Sequence, residues 1–538
     1  MSSRHRLLAL SAALALVGAG CGSATSPSPP AASAPAGSGD LATPAAPAGG
    51  TLNVAIFNPV TDINPRGYEF AHVQTGMVFE PLVQYDQAGQ IQPALAESWT
   101  ASADGLTYTF ELRTGVTFSD GTPFDAEAAK WNFDQWVGVE DHNWLGATNK
   151  IASVTAQDAT TLVLTLKEPY SGLLQDLAII RPVRFMSPKA VDASGAMTAP
   201  IGTGPWTWVS GDEAQTVLAR NESYWGTKPT LDKVVFKAIT DSQARAAALQ
   251  RGEVDLIGGE YIAPIAPEEA KALQSAAGIS VLTAPGSSTF FMAFKFDEGP
   301  LAEATVRQAI TQAIDREGIS QALFGGFATP AGSLFPPAVP YAPQDATIPF
   351  DPDGSRALLE GAGWTGSPVR QKAGQSLSFD IITSDSFLPQ SRALGEAIKA
   401  QLADIGIEVN IRALDQAAYQ SAVTARDFDL YFDITYGAPY DPLSTLLGAF
   451  FAGFTSNHQG RAFASAELDK LIDEAAKGTT DAARAASYQQ IWELFEDEAG
   501  VAPLVSQSRI WATSRAVQGF ALGPTEYDLP LTGVTVTR

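Results

Sequence analysis

Residues 95–133 have the sequence "LAESWTASADGLTYTFELRTGVTFSDGTPFDAEAAKWNF". Apolar side chains alternate within it at Tyr108, Phe110 and Leu112, which is the period-two pattern of a strand with one buried face. The "SDGTPF" that follows is rich in turn residues, and Asp125 can cap a helix formed by the next residues. A strand, a turn and a helix in close succession predict a mixed α/β fold.

The same two patterns recur along the chain. "TLVLTL" at 161–166 and "IGIEVNIRAL" at 405–414 alternate as strands do. Strands that alternate with helices over 538 residues predict an α/β architecture of two or more lobes, because one core rarely grows that large. The helical spacing is found in three sets: Ala129, Phe133, Trp136 and Val137; Val306, Ile310, Ala313 and Ile314; Tyr488, Ile491, Trp492 and Phe495.

The composition excludes one class of partner. Apolar residues make up 45% of the chain, which is enough for a large core. The 34 basic and 58 acidic residues give a net charge of −24, and the pI is about 4.5. Binding to nucleic acid requires a basic surface, and this charge balance supplies none.

The first residues carry a targeting signal. Arg4 and Arg6 precede the apolar "LLALSAALALV", which is too short to span a bilayer as a stable helix. The "VGAGC" ending at Cys21 resembles a lipobox, although Gly18 stands where Leu is usual. We therefore expect residues 1–20 to be a lipoprotein signal peptide and Cys21 to carry lipid. An ordinary secretory leader with an incidental cysteine is the alternative.

After the leader, residues 21–50 consist mainly of Ser, Pro, Ala and Gly, a composition typical of a disordered linker. Cys21 is the only cysteine, so the mature chain has neither a disulfide nor a thiolate metal site. Removal of Arg4 and Arg6 leaves 32 basic and 58 acidic residues, a net charge of −26. The sequence therefore predicts an acidic globular body tethered to the outer face of the cytoplasmic membrane.

One motif imitates an enzyme signature. "GAGWTG" at 361–366 has the G-x-G-x-x-G spacing of a dinucleotide site, but that fingerprint must follow a strand and open a helix. Here "DGSRALLEGAGW" is typical of a helix that ends, with Gly361 or Gly363 as the left-handed cap residue. The sequence contains no P-loop, H-E-x-x-H or G-x-S-x-G pattern. We expect a protein that is not an enzyme; a secreted hydrolase is a distant alternative.

Several stretches together resemble the peptide/nickel family of solute-binding proteins, family 5, which are the extracytoplasmic receptors of ABC importers. The resemblance extends over essentially all of residues 51–538. It implies an α/β fold of the periplasmic-binding-protein type II, cluster C, in which two lobes joined by two crossovers close on a ligand. The stretches that carry it are residues 95–133, "IGTGPW" at 201–206, residues 220–256 and "VRQAITQAIDREGI" at 306–319.

The family pattern also implies where the lobes divide. Lobe I would comprise residues 51–287 and be completed by residues 508–538, and lobe II would comprise residues 288–507. The crossovers would then lie near "SSTFFMAFKFD" at 287–297 and "VAPLVSQSRIW" at 501–511. Both stretches are extended and apolar in pattern.

Three stretches are most similar to the nickel-binding branch of the family: residues 173–188, 323–343 and 435–442. Receptors of that branch hold nickel inside a small carboxylate-rich chelator. The first arginine of their R-P-x-R-F motif pairs with the chelator, and it corresponds to Arg181. A planar guanidinium binds carboxylate in a bidentate way. A salt bridge to a protein carboxylate is the alternative for Arg181, and Arg184 is expected to be structural.

Other pocket positions transfer from the resemblance one by one. Trp144 in "DHNW" and Tyr440 in "GAPYDP" correspond to aromatic residues of the pocket. Tyr436 stands where the nickel branch often has Trp, and Tyr68 matches a tyrosine at the pocket rim. Asp141 departs from the pattern, because a second pocket arginine is usual at its position. Aromatic packing within a core is the alternative for these aromatic residues.

Histidines are scarce, and this makes each of them informative. Beyond the leader there are only His72, His142 and His458. In an ungapped alignment the nickel-ligating histidine of the family falls near Phe454, and His458 is the nearest histidine. Imidazole suits Ni(II), so each of the three is a candidate metal ligand, with an ordinary loop histidine as the alternative. Nickel would enter as part of the transported ligand, and no tightly bound cofactor is expected.

The sequence thus predicts a lipid-anchored, monomeric receptor of an ABC importer that captures a nickel–chelator complex. Its partners would be the permease and its ATPase, and its mechanism would be capture by lobe closure. The nearest alternative changes the ligand to a short peptide or another small polar solute. Family members that bind peptides often use an Asp for the amino terminus, and Asp141 keeps that alternative open.

Overall fold

A computed structural model describes residues 49–67, 71–437, 441–452 and 463–537. The proposed leader, the lipidation site Cys21 and nearly all of the linker lie outside the described residues, as do Tyr68, Tyr440 and His458. The described residues belong to one compact unit. Among the described helices, none is long and apolar enough to cross a membrane.

Strands of the described residues are numbered in chain order. They are β1 Thr51–Ile56, β2 Val83–Tyr85, β3 Ile91–Pro93, β4 Ala96–Ala101, β5 Thr107–Leu112, β6 Ile151–Ala156, β7 Thr161–Leu166, β8 Trp206–Gly211, β9 Gln215–Arg220, β10 Lys233–Ala238, β11 Leu256–Gly258, β12 Ile279–Ala284, β13 Thr289–Phe294, β14 Ala328–Pro330, β15 Gln371–Lys372, β16 Gln375–Ser376, β17 Ser378–Thr383, β18 Glu408–Ala413, β19 Leu430–Ile434, β20 Val501–Gln507, β21 Arg509–Ser514, β22 Val517–Gln518 and β23 Thr535–Val536.

The α-helices are numbered in the same way. They are α1 His72–Val78, α2 Ala126–Phe133, α3 Gly146–Lys150, α4 Leu173–Ala178, α5 Ser242–Gln250, α6 Pro267–Gln274, α7 Ala304–Gln312, α8 Arg316–Phe324, α9 Pro352–Gly361, α10 Ser391–Ala403, α11 Gln416–Ala425, α12 Pro442–Thr445, α13 Ala466–Lys477 and α14 Asp481–Glu498. Short 3₁₀ turns occupy Glu140–His142 and Gly299–Ala302, and a π turn occupies Leu446–Phe450.

Two large sheets dominate the fold. The first has seven strands in the order β12-β21-β11-β1-β10-β9-β8, and the second has six in the order β14-β20-β13-β19-β17-β18. The chain passes between them twice, from β12 to β13 and from β20 to β21. The apolar residues of β13, Thr289–Phe294, are all buried, as expected for a strand covered on both faces.

A four-stranded antiparallel sheet, β4-β5-β7-β6, stands apart from the two large ones. Strand β5 pairs with β7 so that Phe110 lies opposite Leu162, and both are fully buried. The alternation seen in the sequence therefore forms one face of an apolar core. That core also contains residues from α13 and α14, which lie between β19 and β20 of the second large sheet.

Two helix ends lie at or near the residues that the sequence marks as cap residues. The carboxylate of Asp125 accepts a hydrogen bond from the amide of Ala128 at 2.9 Å and caps α2. Helix α2 ends at Phe133, earlier than the helical spacing predicts. Hydrogen-bonded turns over the next residues continue that spacing, so Trp136 is still buried. Helix α9 ends at Gly361, with the following Gly363 at φ 88°, so "GAGWTG" is a helix end and not a nucleotide loop.

Candidate ligand cleft

Arg181 follows helix α4 and turns toward Trp144. Its guanidinium carbon lies 5.1 Å from the centroid of the Trp144 ring, which is within the range of a cation–π interaction. Both side chains are partly buried. Two residues that the sequence marks independently, one in "IRPVR" and one in "DHNW", are thus brought together by the fold.

His72 begins helix α1 and lies in an aromatic enclosure. Its ring makes edge contacts with Tyr261, at 5.5 Å between ring centroids, and with Tyr527, at 5.3 Å. The two tyrosine rings are 4.6 Å apart. Burial lowers the pKa of His72 to about 3, and the nearby positive charge of Arg181 acts in the same direction. His72 is therefore a neutral imidazole beside a guanidinium.

His142 also lies within electrostatic range of Arg181, but its side chain is only partly buried, whereas that of His72 is buried. Burial lowers its pKa, and the charges of Arg181 and Arg66 lower it further, whereas Asp141 opposes them. Arg66 is held by hydrogen bonds to Gln135 at 3.1 Å and to the carbonyl of Gly195 at 2.9 Å. The exposed Asp141 thus lies close enough to act electrostatically on the site.

Two acidic residues face the aromatic enclosure. Glu526 is buried and accepts a hydrogen bond from the hydroxyl of Ser287 at 3.4 Å. Glu260 remains open to solvent although protein surrounds it; this partial desolvation and the charge of Glu526 raise its pKa to about 8. Burial also raises the pKa of Glu526, and Arg509 acts against both shifts. A group that solvent reaches but protein surrounds is typical of a deep cleft wall.

Residues after β19 approach this wall from the other large sheet. The backbone of Gly437 comes so near the carboxylate of Glu526 that a Cβ at this position would overlap it. The preceding Tyr436 is exposed over 38% of its surface, and its amide donates to the hydroxyl of Thr445 at 2.9 Å. The two sides of the molecule thus meet at Gly437 and Glu526, directly beside Tyr436 and Tyr527.

The described residues do not hold three or more His, Cys, Asp or Glu side chains placed to bind one metal ion. His72 and His142 are associated with the same arginine, but neither belongs to a preformed metal cage. A metal at this site would need most of its ligands from another molecule. The histidines can supply at most a share of the coordination from the described part of the chain.

Arg184 points elsewhere, into a cavity of about 310 Å³ that Glu80 and Asp528 also line. Its guanidinium donates to the carbonyl of Ala178 at 3.4 Å. Burial lowers the pKa of Arg184 to about 10, and the two carboxylates oppose that effect. The two arginines of "IRPVR" therefore have different surroundings: one lies beside an indole, and the other lines a cavity whose wall also includes Tyr527.

Four residues of the site were not predicted from the sequence: Tyr261, Tyr527, Glu260 and Glu526. Each follows a strand or lies in a loop without a recognisable motif, and Tyr527 is far from His72 along the chain. The available signal was weak: "TEYD" at 525–528 places an aromatic between two acidic residues near the end of the chain.

Two sheets joined by two passages, with charged and aromatic residues where the two sides meet, define a class of protein: the two-lobe, type II periplasmic binding proteins. The chain belongs to the bacterial extracellular solute-binding proteins of family 5. The family pattern described as "Bacterial extracellular solute-binding proteins, family 5 Middle" matches residues 90–457. The expected family and fold class are therefore confirmed, and the chain is a substrate-binding receptor of the ABC-importer type.

Known relatives agree with this assignment. The nickel-binding periplasmic protein of Escherichia coli K12 is 36% identical over 469 residues, which cover 84% of this chain and 88% of that protein. An ABC transporter substrate-binding protein from Sinorhizobium meliloti has 40% identity and a TM-score of 0.82, over 91% of this chain and all of the other. NikA from Brucella suis, solved with Fe(III)-EDTA, has 31% identity and a TM-score of 0.84 over the same shares.

Proposed function

We propose that this receptor captures a nickel–chelator complex outside the cytoplasmic membrane and delivers it to an ABC permease and its ATPase. The observation that carries the proposal is the placement of Arg181 over Trp144 with the neutral His72 close by. A guanidinium on an aromatic face binds the carboxylates of a chelator, and a neutral imidazole is competent to ligate nickel.

The chelator is needed because the described residues lack a cluster that could hold a bare ion. In the proposed complex the chelator supplies most of the ligands and the negative charge. Arg181 neutralises that charge, Trp144 and Tyr436 pack against the chelate, and His72 or His142 is positioned to complete the nickel sphere. Similarity to a nickel-binding relative and to a protein solved with Fe(III)-EDTA supports this ligand class.

The mechanism is capture without chemistry. The open form admits the chelate, and closure of the two lobes excludes water and presents a shape that the permease recognises. Lipid on Cys21 would keep the monomeric body near the permease, and the Ser-, Pro-, Ala- and Gly-rich composition of residues 21–50 supports a tether.

A fluorescence titration tests the proposal, because the chain has ten tryptophans and one of them lies beneath Arg181. The titrants are Ni(II) alone, Ni(II) with excess free histidine or a tricarboxylate, and a mixture of short peptides. A saturable response only to nickel with chelator supports the proposal. A response to peptides and none to nickel contradicts it.

Arg181→Gln provides the matched variant for this titration, and Arg113→Gln provides its control. The guanidinium carbon of Arg113 lies 4.9 Å from the centroid of the Trp225 ring. The Arg113→Gln substitution therefore removes a similar cation–π pair elsewhere in the protein. The Arg181 variant should lose the response, and the Arg113 variant should keep it.

One observation favours a second ligand class, short peptides. Glu260 and Glu526 place acidic groups beside the aromatic enclosure, where they could receive the ammonium group of a peptide. In that case Arg181 would bind the peptide's carboxylate. The peptide arm of the titration distinguishes the two classes, and Glu526→Gln should weaken only a ligand that carries an ammonium group.

A further inference from the structure

The two residues before helix α4, which leads into Arg181, contact helices α12 and α13, and we name this the α4–α13 contact. The amide of Ser171 donates to the carbonyl of Ala476 at 2.7 Å, and its hydroxyl donates to the carbonyl of Ala475 at 2.9 Å. Gly172 lies against Leu443, and apolar residues of both sides belong to one core cluster. This α4–α13 contact joins the segment before Arg181 to the segment after Tyr436.

A buried carboxylate lies on each side of the α4–α13 contact. On the α4 side, Asp176 accepts hydrogen bonds from the amide of Ala147 at 2.8 Å and from the phenol of Tyr170 at 2.9 Å. On the other side, Asp441 accepts a hydrogen bond from the phenol of Tyr488 at 2.6 Å. Tyr170 lies within electrostatic range of both carboxylates.

Asp441 and Asp176 differ in whether a cationic side chain pairs with them. Asp441 pairs with Arg484, whose side chain is only 11% exposed. In the part of the chain that the structure describes, no lysine, arginine or histidine forms a salt bridge with Asp176, which is 3% exposed. An ionised carboxylate in that position is costly, and a second carboxylate nearby adds to the cost. Burial and, to a smaller extent, Asp441 raise the pKa of Asp176 to about 7.

We propose that Asp176 is a proton switch for lobe closure: its neutral acid stabilises the α4–α13 contact, and its carboxylate weakens the contact. The inference rests on the proposed function in that closure around a ligand must bring these two sides together. The ionisable groups around the switch are Tyr170 on its own segment, Asp441, Arg484 and Tyr488 across the contact, and Glu168 with Lys150 and Lys477 at the rim.

The direction of the effect follows from linkage. In this proposal, opening of the contact admits water to Asp176, and its pKa then returns toward the ordinary value near 4. The closed form therefore binds the proton more tightly, and closure is favoured at low pH. Between about pH 4 and about pH 7 the closure equilibrium should fall with rising pH, by at most about tenfold per unit.

Hydrogen exchange of the full-length chain, followed by mass spectrometry on peptides that contain Ser171, tests the switch between pH 5 and pH 8. After correction for intrinsic exchange rates, protection in the wild type should fall several-fold across this range. Asp176→Asn, a neutral isostere that can still accept both hydrogen bonds, should show protection that does not change with pH. Wild-type protection that is independent of pH, or an Asp176→Asn profile equal to wild type, would overturn the proposal.

Asp433→Asn is the matched control, because burial also raises the pKa of Asp433 to about 7 but its strand, β19, lies within the second large sheet. This variant should keep the wild-type slope; loss of the slope would assign the effect to buried carboxylates in general and overturn the switch. If Asp176→Asn fails to fold, Asp176→Ser replaces it; this neutral variant should also lose the slope, and a wild-type slope in it would overturn the proposal.

Failure of the proton switch and failure of the proposed function give different experimental results. A chain with the pH-dependent contact and no response to nickel chelates keeps the switch and loses the nickel assignment. A chain that responds to nickel with excess histidine at neutral pH, and whose Ser171 protection is independent of pH, keeps the function and loses the switch.

Discussion

The guanidinium of Arg181 lies over the indole of Trp144 at 5.1 Å, although the two residues come from different segments of the chain. The indole face attracts the positive charge and restrains its position. A carboxylate is bound in the plane of a guanidinium, so this stacking fixes the direction from which a chelator is received. The pair is therefore the candidate carboxylate-binding element of the site.

Replacement of Arg181 by Gln should weaken binding of nickel with a carboxylate chelator by about 10- to 100-fold, because a charge-assisted hydrogen bond contributes about 1.5–3 kcal/mol. Isothermal titration calorimetry measures this directly. Arg113→Gln should leave the affinity within about twofold of wild type. Equal losses in both variants would point to a general loss of charge and contradict a specific role for Arg181.

His72 should make folding stability depend on pH. The folded chain keeps His72 neutral with a pKa of about 3, whereas the unfolded chain protonates it below about pH 6.5. The unfolded state then binds more protons, so stability falls as pH decreases from about 6.5 toward 3, by at most about 1.4 kcal/mol per unit.

Thermal unfolding of His72→Gln at pH 7 and pH 5 checks this expectation. The variant should lose less stability on acidification than the wild type does. His142→Gln, which alters a less enclosed histidine, should change the pH dependence less. A wild-type profile unchanged by the His72 substitution would show that His72 is not held neutral in the fold.

Gly437→Ala should impair closure without unfolding either side. The added methyl group would overlap the carboxylate of Glu526, so the two sides could not approach as closely. Ligand affinity should fall by about tenfold or more, while the midpoint of thermal unfolding changes little. Gly361→Ala serves as control, since its Cβ would meet no atom within 4 Å. Unchanged affinity in the Gly437 variant would contradict the assignment of this approach to the closed cleft.

Cys21→Ser should release the protein from the membrane. Without the thiol no lipid can be attached at this position. Fractionation of producing cells should find the wild type with membranes and the variant in the soluble or secreted fraction. Membrane association that survives the substitution would favour an ordinary secretory leader and another mode of attachment.

Much of the fold could be predicted because its signals are local. The alternation at Phe110 and Leu162 gives strands, and the carboxylate of Asp125 gives a helix start, without knowledge of distant residues. The helix after Asp125 was expected to be longer because successive turns preserve helical spacing beyond Phe133. Spacing alone does not distinguish a continued helix from a set of turns.

The candidate site could be predicted only where a motif carried it. Arg181 and Trp144 lie in recognisable motifs, and the fold brings them together. Tyr261 and Tyr527 reach His72 from remote parts of the chain, and nothing in their local sequences marks them. The low pKa of His72 likewise arises from burial by these distant residues, so the sequence could name the histidine but not its charge state.

The most direct test of the nickel assignment is a crystal structure of the protein grown with Ni(II) and excess free histidine, with anomalous data collected at the nickel absorption edge. A single strong peak in the cleft, with a chelator carboxylate bound to Arg181 and the chelate against Trp144, is the predicted result. No nickel in the cleft, or nickel in the cleft without a carboxylate at Arg181, would contradict the account.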